Sequence, residues 1–192
     1  MMLSLEQMLQ LTILLPLLAT VGIVATGKQP NLREGVSIVT SLLLLTLVVS
    51  LYQGLQSGEV ISVSWGELLP GLTVSFTIEP LGMLFALIAA LLWPISTLYS
   101  IGYMRGNNEQ HQTRFYVCFA IAIGSVMGLA FADNLFTFFI FYEVLTLSTY
   151  PLVTHAGTEK AKQGGRTYLG ILLFTSVVFL LLAIIATWYL TG

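Results

Sequence analysis

The sequence predicts an all-α polytopic membrane protein with six transmembrane helices, and three observations predict it. First, of 192 residues 56% are hydrophobic and only 8% charged, where a soluble domain carries about 25% charged residues. A water-facing surface cannot be built from so few charges, and a mean hydropathy of +0.90 suits lipid as the solvent. Second, six apolar stretches each approach the roughly 20 residues that a bilayer requires. Third, the seven basic residues, Lys28, Arg33, Arg105, Arg114, Lys160, Lys162 and Arg166, lie in or beside alternate loops. A wrong helix count would destroy that alternation.

The elements follow in order within a single membrane domain spanning residues 1–192. The first helix is placed near 8–26. Its leading segment, Met1 to Gln7, is acidic rather than basic, so it reads as a retained helix and not as a cleaved leader. The second is placed near 35–53. Between the second and third, residues 60–79 change period. Ile61, Val63 and Trp65 alternate with serines, and after Gly66, Pro70 and Gly71 the residues Leu72, Val74, Phe76 and Ile78 alternate with Thr73, Ser75 and Thr77. Two such period-2 runs around a Gly/Pro turn predict a β-hairpin, acting as a structural clasp whose apolar face packs on the helices or on a partner. The remaining helices are placed near 80–103, 114–131, 134–153 and 167–190. Pro16 and Pro94 fall inside helices and read as packing kinks. Asp133 reads as the N-cap of the fifth helix. The positive-inside rule puts the loops after helices 1, 3 and 5 in the cytoplasm, the hairpin outward and both termini outward.

Several function classes are excluded by what is missing. A net charge of −2 with scattered basic residues gives no nucleic-acid surface. The single cysteine, Cys118, sits in an apolar run, so the chain has no internal disulfide framework. No CxxC pair, HExxH, phosphate loop or nucleophile elbow is present, and Gly164-Gly165 has no phosphate-loop spacing. His111 and His155 lack metal-ligand spacing. The expectation is therefore no cofactor, no metal and no catalytic chemistry of the chain's own.

One residue does not belong. Eight of nine acidic residues lie at or near loops and helix ends; the ninth, Glu143, sits near the middle of the fifth helix. At 1.5 Å per residue it is roughly 14 Å deep. A carboxylate there costs a few kcal/mol even on lenient insertion scales, and removal from water disfavours the charged form of any carboxyl. A carboxyl that changes charge at the membrane centre is what a proton relay requires. The bland alternative is a protonated Glu143 that hydrogen-bonds a neighbouring helix. Thr146, Tyr150 and Thr154 share its stripe at i+3, i+7 and i+11, giving a polar path towards the cytoplasmic side. Phe136 and Phe139 line the outward half. His155, near the cytoplasmic end, is a candidate entry-side proton acceptor or a satisfied interfacial histidine.

Asp133-Asn134-Leu135-Phe136, Phe141-Tyr142-Glu143-Val144-Leu145 and Ser148-Thr149-Tyr150-Pro151-Leu152-Val153 resemble the fifth helix of antiporter-like membrane subunits. Such subunits occur in Mrp-type sodium/proton antiporters, among the proton-pumping subunits of respiratory complex I, and in membrane-bound hydrogenases. Ile78-Glu79-Pro80-Leu81 resembles the acidic start of the family's third helix, and the hairpin also matches. Within the family the run over residues 141–155 leans towards the Mrp D subunit.

The resemblance implies the N-terminal part of a fourteen-helix fold, with two inverted five-helix repeats starting at helix 4. It implies that Glu143 takes part in proton transfer, paired with a lysine on helix 7, with further lysines on helices 8 and 12. The sequence ends after its sixth helix and departs from the family there. The expectation is a fragment or split subunit, completed by other chains or segments that supply the lysines, in a bacterial-type inner membrane. Three functions stay open: a subunit or fragment of a multisubunit cation/proton antiporter moving protons, with or without sodium; a proton-pumping membrane subunit of an NADH-quinone oxidoreductase or membrane hydrogenase, with redox chemistry confined to partners; or a non-transporting scaffold.

Overall fold

The computed structural model describes residues 3–69 and 71–191; Met1, Met2, Gly192 and Pro70 of the expected turn lie outside them. The elements are α1 (Leu5–Ala25), α2 (Pro30–Gln56), β1 (Ser62–Leu69), β2 (Leu72–Thr77), α3 (Pro80–Gly106), α4 (Gln112–Ala130), α5 (Leu135–Val153), α6 (Glu159–Thr175), a π-helical turn (Ser176–Leu181) and α7 (Leu182–Thr191). The last three form one continuous apolar span, so six helices are long and apolar enough to cross a membrane. Pro16, Pro94 and Pro151 are accommodated inside helices.

Two expected boundaries are corrected. The second helix begins at Pro30, not near 35, because Pro30 stands at a helix start, where its missing N–H costs nothing. The sixth begins at Glu159, not near 167. Thr158 caps it, its hydroxyl accepting from Ala161 N at 3.1 Å, and Glu159 pairs with Lys162 at 2.8 Å. Lys160, Lys162, Gly164, Gly165 and Arg166 are therefore helical and do not form a loop.

Packing centres on α4, which lies against α1, α3 and α5. Lipid gives helices little apolar reason to associate, so close approach through small residues takes over. Gly128 is such a point, since a Cβ there would overlap the Phe141 ring of α5. The sixth span touches α5 and has no comparable second neighbour among the described residues.

The hairpin strands pair antiparallel, with an irregularity between Ser64 and Gly66 that leaves Trp65 as the extra residue. Val74, Phe76 and Ile78 are buried, as their alternation predicts. Phe76 meets Trp65 at 4.7 Å and Phe141 at 5.5 Å between ring centroids. The hairpin docks by hydrogen bonds onto the α4–α5 junction. Thr77 N donates to Phe131 O at 2.8 Å, Asp133 N to Ser75 O at 3.1 Å, and Ser75 N to Thr137 Oγ1 at 3.1 Å. The N-cap of α5 is Asn134, whose Oδ1 accepts from Thr137 N at 2.8 Å. Asp133, expected in that role, instead accepts from Ser75 Oγ at 3.1 Å. The amide side chain wins because it caps the helix while its Nδ2 also donates to Thr73 O at 3.0 Å.

Candidate functional site

Glu143 stands eight residues after the start of α5 and ten before its end, so roughly 12–15 Å of helix lies on either side. Its Oε1 is buried and has no hydrogen-bond partner among the described residues. Buried polar atoms are nearly always satisfied, and an exception asks for an explanation.

The stripe continues below it. Thr146 and Thr154 are buried and Tyr150 is half-buried. Thr154 donates its hydroxyl to Tyr150 O at 2.9 Å, within α5. Tyr150 and Thr154 face Gly165 of α6, where a Cβ would overlap Thr154 and sit 3.2 Å from the Tyr150 ring. One turn nearer Glu143, Thr149 Oγ1 and the Tyr168 hydroxyl are 3.5 Å apart. Above Glu143, Phe136 and Phe139 are half-buried. An open cavity of about 400 Å³ between the hairpin and α7 reaches Phe136, with Thr73, Ser75, Asp133 and Ile184 on its walls.

Those contacts fix the antiparallel register of α5 and the sixth span. Thr154 meets Gly165, Thr149 meets Tyr168, and Phe136 shares a cavity with Ile184. Interpolation puts the start of the π-helical turn, at Ser176, level with Glu143. Ser176 is buried, and its hydroxyl donates to Leu173 O at 3.1 Å. π-helical turns inside α-helices occur frequently at functional sites. The sequence carried one faint signal for this feature, the polar pair Thr175-Ser176 in an otherwise apolar run.

His155 lies in the turn after α5. Its ring packs edge-on against Phe115, with centroids 5.6 Å apart, and neither ring nitrogen has a hydrogen bond. Nε2 is 3.9 Å from Glu109 Oε2. Burial holds the imidazole below its ordinary range; Arg114 and His111 push the same way, and Glu109 opposes them. The structure does not bring His155 into hydrogen-bond contact with the stripe.

A second ionic cluster was missed by sequence reasoning, which assigned Arg33 and Glu34 to loops and helix ends. Both are buried in the first turns of α2. Glu34 pairs with Arg105 of α3. Arg33 donates to Gln112 at 2.7 Å and Thr113 at 3.2 Å and lies 5.1 Å from the centroid of the Tyr116 ring. The adjacent opposite charges just after Pro30 were the available signal.

Comparison with known proteins shows what parts of the chain are similar to. The family model described as NADH:quinone oxidoreductase/Mrp antiporter, transmembrane region, matches residues 132–192, a segment that contains Glu143. The A-type component of the sodium/proton antiporter of Alkalihalophilus pseudofirmus is 30% identical over 108 residues, covering 55% of this chain and 13% of that protein. The A1-type component of the Staphylococcus haemolyticus antiporter is 26% identical over 115 residues, covering 59% and 14%. A chain of the membrane-bound sulfane sulfur reductase, an archaeal respiratory membrane complex, superposes with a TM-score of 0.73 at 20% identity, covering 84% of this chain and 33% of that one. The helical fold is therefore shared with about a third of that chain. The chain is a multi-pass membrane protein, and parts of it are similar to sodium/proton antiporter subunits and to a respiratory-complex membrane chain. It spans about an eighth of the length of the curated relatives it matches. Both of these antiporter relatives are A-type components, not the D type expected from the run over residues 141–155.

Proposed function

We propose that the chain is part of a proton-translocating subunit of a multisubunit cation/proton antiporter, with Glu143 as the group that takes up and releases the proton. The observation that carries this reading is the buried, unpartnered Oε1 of Glu143 in mid-helix. A carboxyl there is stabilised by protonation or by an opposite charge brought close, and a change between those two conditions moves a proton. The charge partner is a lysine on a helix outside this chain, in a longer fourteen-helix polypeptide or on a neighbouring subunit. Thr146, Tyr150 and Thr154 supply the polar path to the basic end, with His155 at its mouth. The π-helical turn at Ser176, where regular i→i−4 bonding is interrupted, offers backbone groups to water at the level of Glu143. The basic ends of the helices face the cytoplasm of a bacterial-type inner membrane, with both termini and the hairpin outward. Sodium is the counter-ion of the exchange.

The test is Glu143→Gln in the intact complex, reconstituted in proteoliposomes with a pH-sensitive dye. Transport falls to background while the subunits still copurify. Wild-type transport in the variant contradicts the proposal and leaves a packing role within a non-transporting scaffold. A second reading, a proton-pumping subunit of a redox complex, is favoured by the family match, whose description joins NADH:quinone oxidoreductases to antiporters. Copurification of a dehydrogenase or hydrogenase chain, with pumping driven by its substrate, decides for that reading.

A further inference from the structure

The Arg33–Glu34–Arg105 cluster lies at the end of the bundle opposite the hairpin, and two arginines against one glutamate leave an excess of one positive charge. Arg33 is buried behind Gln112 and Tyr116, with its Nε unpartnered. The Arg105 side chain is 46% exposed. It donates to Asn31 Oδ1 at 2.6 Å, and Gln112 Nε2 donates to Glu109 O at 3.1 Å. Arg105 opens onto an open cavity of about 410 Å³, whose other walls are Pro30 and the amide side chains Asn31, Asn108 and Gln112.

Asn31 also lines a second hollow. That groove, about 370 Å³, runs along α2 past Leu32, Gly35, Val36, Val39 and Thr40 and is almost wholly apolar. A cationic, amide-lined cavity thus passes through one shared residue into an apolar groove that follows a membrane-spanning helix inward. Two and six residues inward from Arg105 on α3, the exposed Tyr103 and Tyr99 rings stack with centroids 6.1 Å apart. Exposed tyrosines of this kind mark the headgroup level. Basic pockets between transmembrane helices at that level bind anionic lipid headgroups.

We propose that this double hollow is a binding site for one anionic phospholipid. Its phosphate lies against Arg105, Asn31 and Asn108, and one acyl chain lies in the groove along α2. The excess charge selects an anionic headgroup, and the polar-to-apolar sequence of the two hollows fixes which end of the molecule goes where. The site is independent of Glu143 and of the transport reading.

Two variants test it without touching the Glu34 ion pairs. Gly35 lines the groove and a Cβ there meets nothing within 4 Å, so Gly35→Phe directs its side chain into open space at the groove. Asn108 has φ 52°, a conformation Asp also tolerates, so Asn108→Asp places a negative charge in the cavity. Native mass spectrometry of the complex, in micelles doped with phosphatidylglycerol or phosphatidylcholine, reads retention directly. Wild type is expected to retain one phosphatidylglycerol at least tenfold better than phosphatidylcholine. Each variant is expected to lower phosphatidylglycerol retention at least tenfold with unchanged elution. Equal retention of the two lipids by wild type overturns the proposal. So does wild-type retention by Gly35→Phe, or a partner protein crosslinked at Val39 in place of lipid.

Discussion

α4 and the sixth span are both long apolar helices, and they differ in what they carry where neighbours approach. α4 offers Ala120, Ala122, Gly124, Ser125 and Gly128, all buried. The sixth span offers Ile171, Phe174, Phe179 and Ile185, all exposed. A third of the apolar window of α4 is buried (33%), against 11% for the sixth span. Hydropathy alone says only that a helix suits lipid. The size of its residues says whether another helix can come close enough for dispersion contacts to replace lipid ones.

The largest expected effect breaks the tight side. Gly128→Leu drives a side chain into Phe141 and should lower stability by about 3 kcal/mol or abolish monodisperse protein in detergent. The matched change on the loose side, Gly170→Leu, meets open space and should leave the melting temperature unchanged or slightly raised. Equal damage from both would remove the distinction.

Next comes the hairpin seam. Thr137 is fully buried and its hydroxyl accepts from Ser75 N. Thr137→Val leaves that donor unsatisfied, at a cost of about 1–3 kcal/mol, and proteolysis should then cut the hairpin before the helices.

A smaller effect is pH-dependent. His155 is held below its ordinary pKa chiefly by burial. Its neutral form is the one the fold accommodates, so stability is full above about 6.5 and falls as pH drops through the lowered folded value. Melting curves between pH 5 and 8 should show that loss, and His155→Leu should flatten it. The smallest effect belongs to Lys162→Ala, which removes an exposed pair with Glu159 and should change stability by no more than about 0.5 kcal/mol.

Six spans were legible in the sequence because a bilayer imposes a length and a polarity that composition records directly. The buried face of β2 was legible because alternation at Val74, Phe76 and Ile78 is a local property. The buried Arg33–Glu34 pair was not, because its partners Arg105 and Gln112 are distant in the chain and only helix packing joins them. The cap at Asn134 was misassigned to Asp133 because two adjacent capping residues compete, and the hairpin, a tertiary partner, decides between them. Glu143 stood out because a lone carboxyl in an apolar run is costly wherever the helix packs. The π-helical turn level with it was not foreseen, because helix pitch is set by backbone hydrogen bonding that residue identity barely encodes.

If Glu143 moves protons, its carboxyl must change protonation in mid-membrane. Infrared difference spectroscopy between low and high pH, on the intact complex in lipid, reads that change as a carboxylic-acid C=O band. A titrating band present in wild type and missing from Glu143→Gln is the expected result. Identical difference spectra for the two proteins would contradict it.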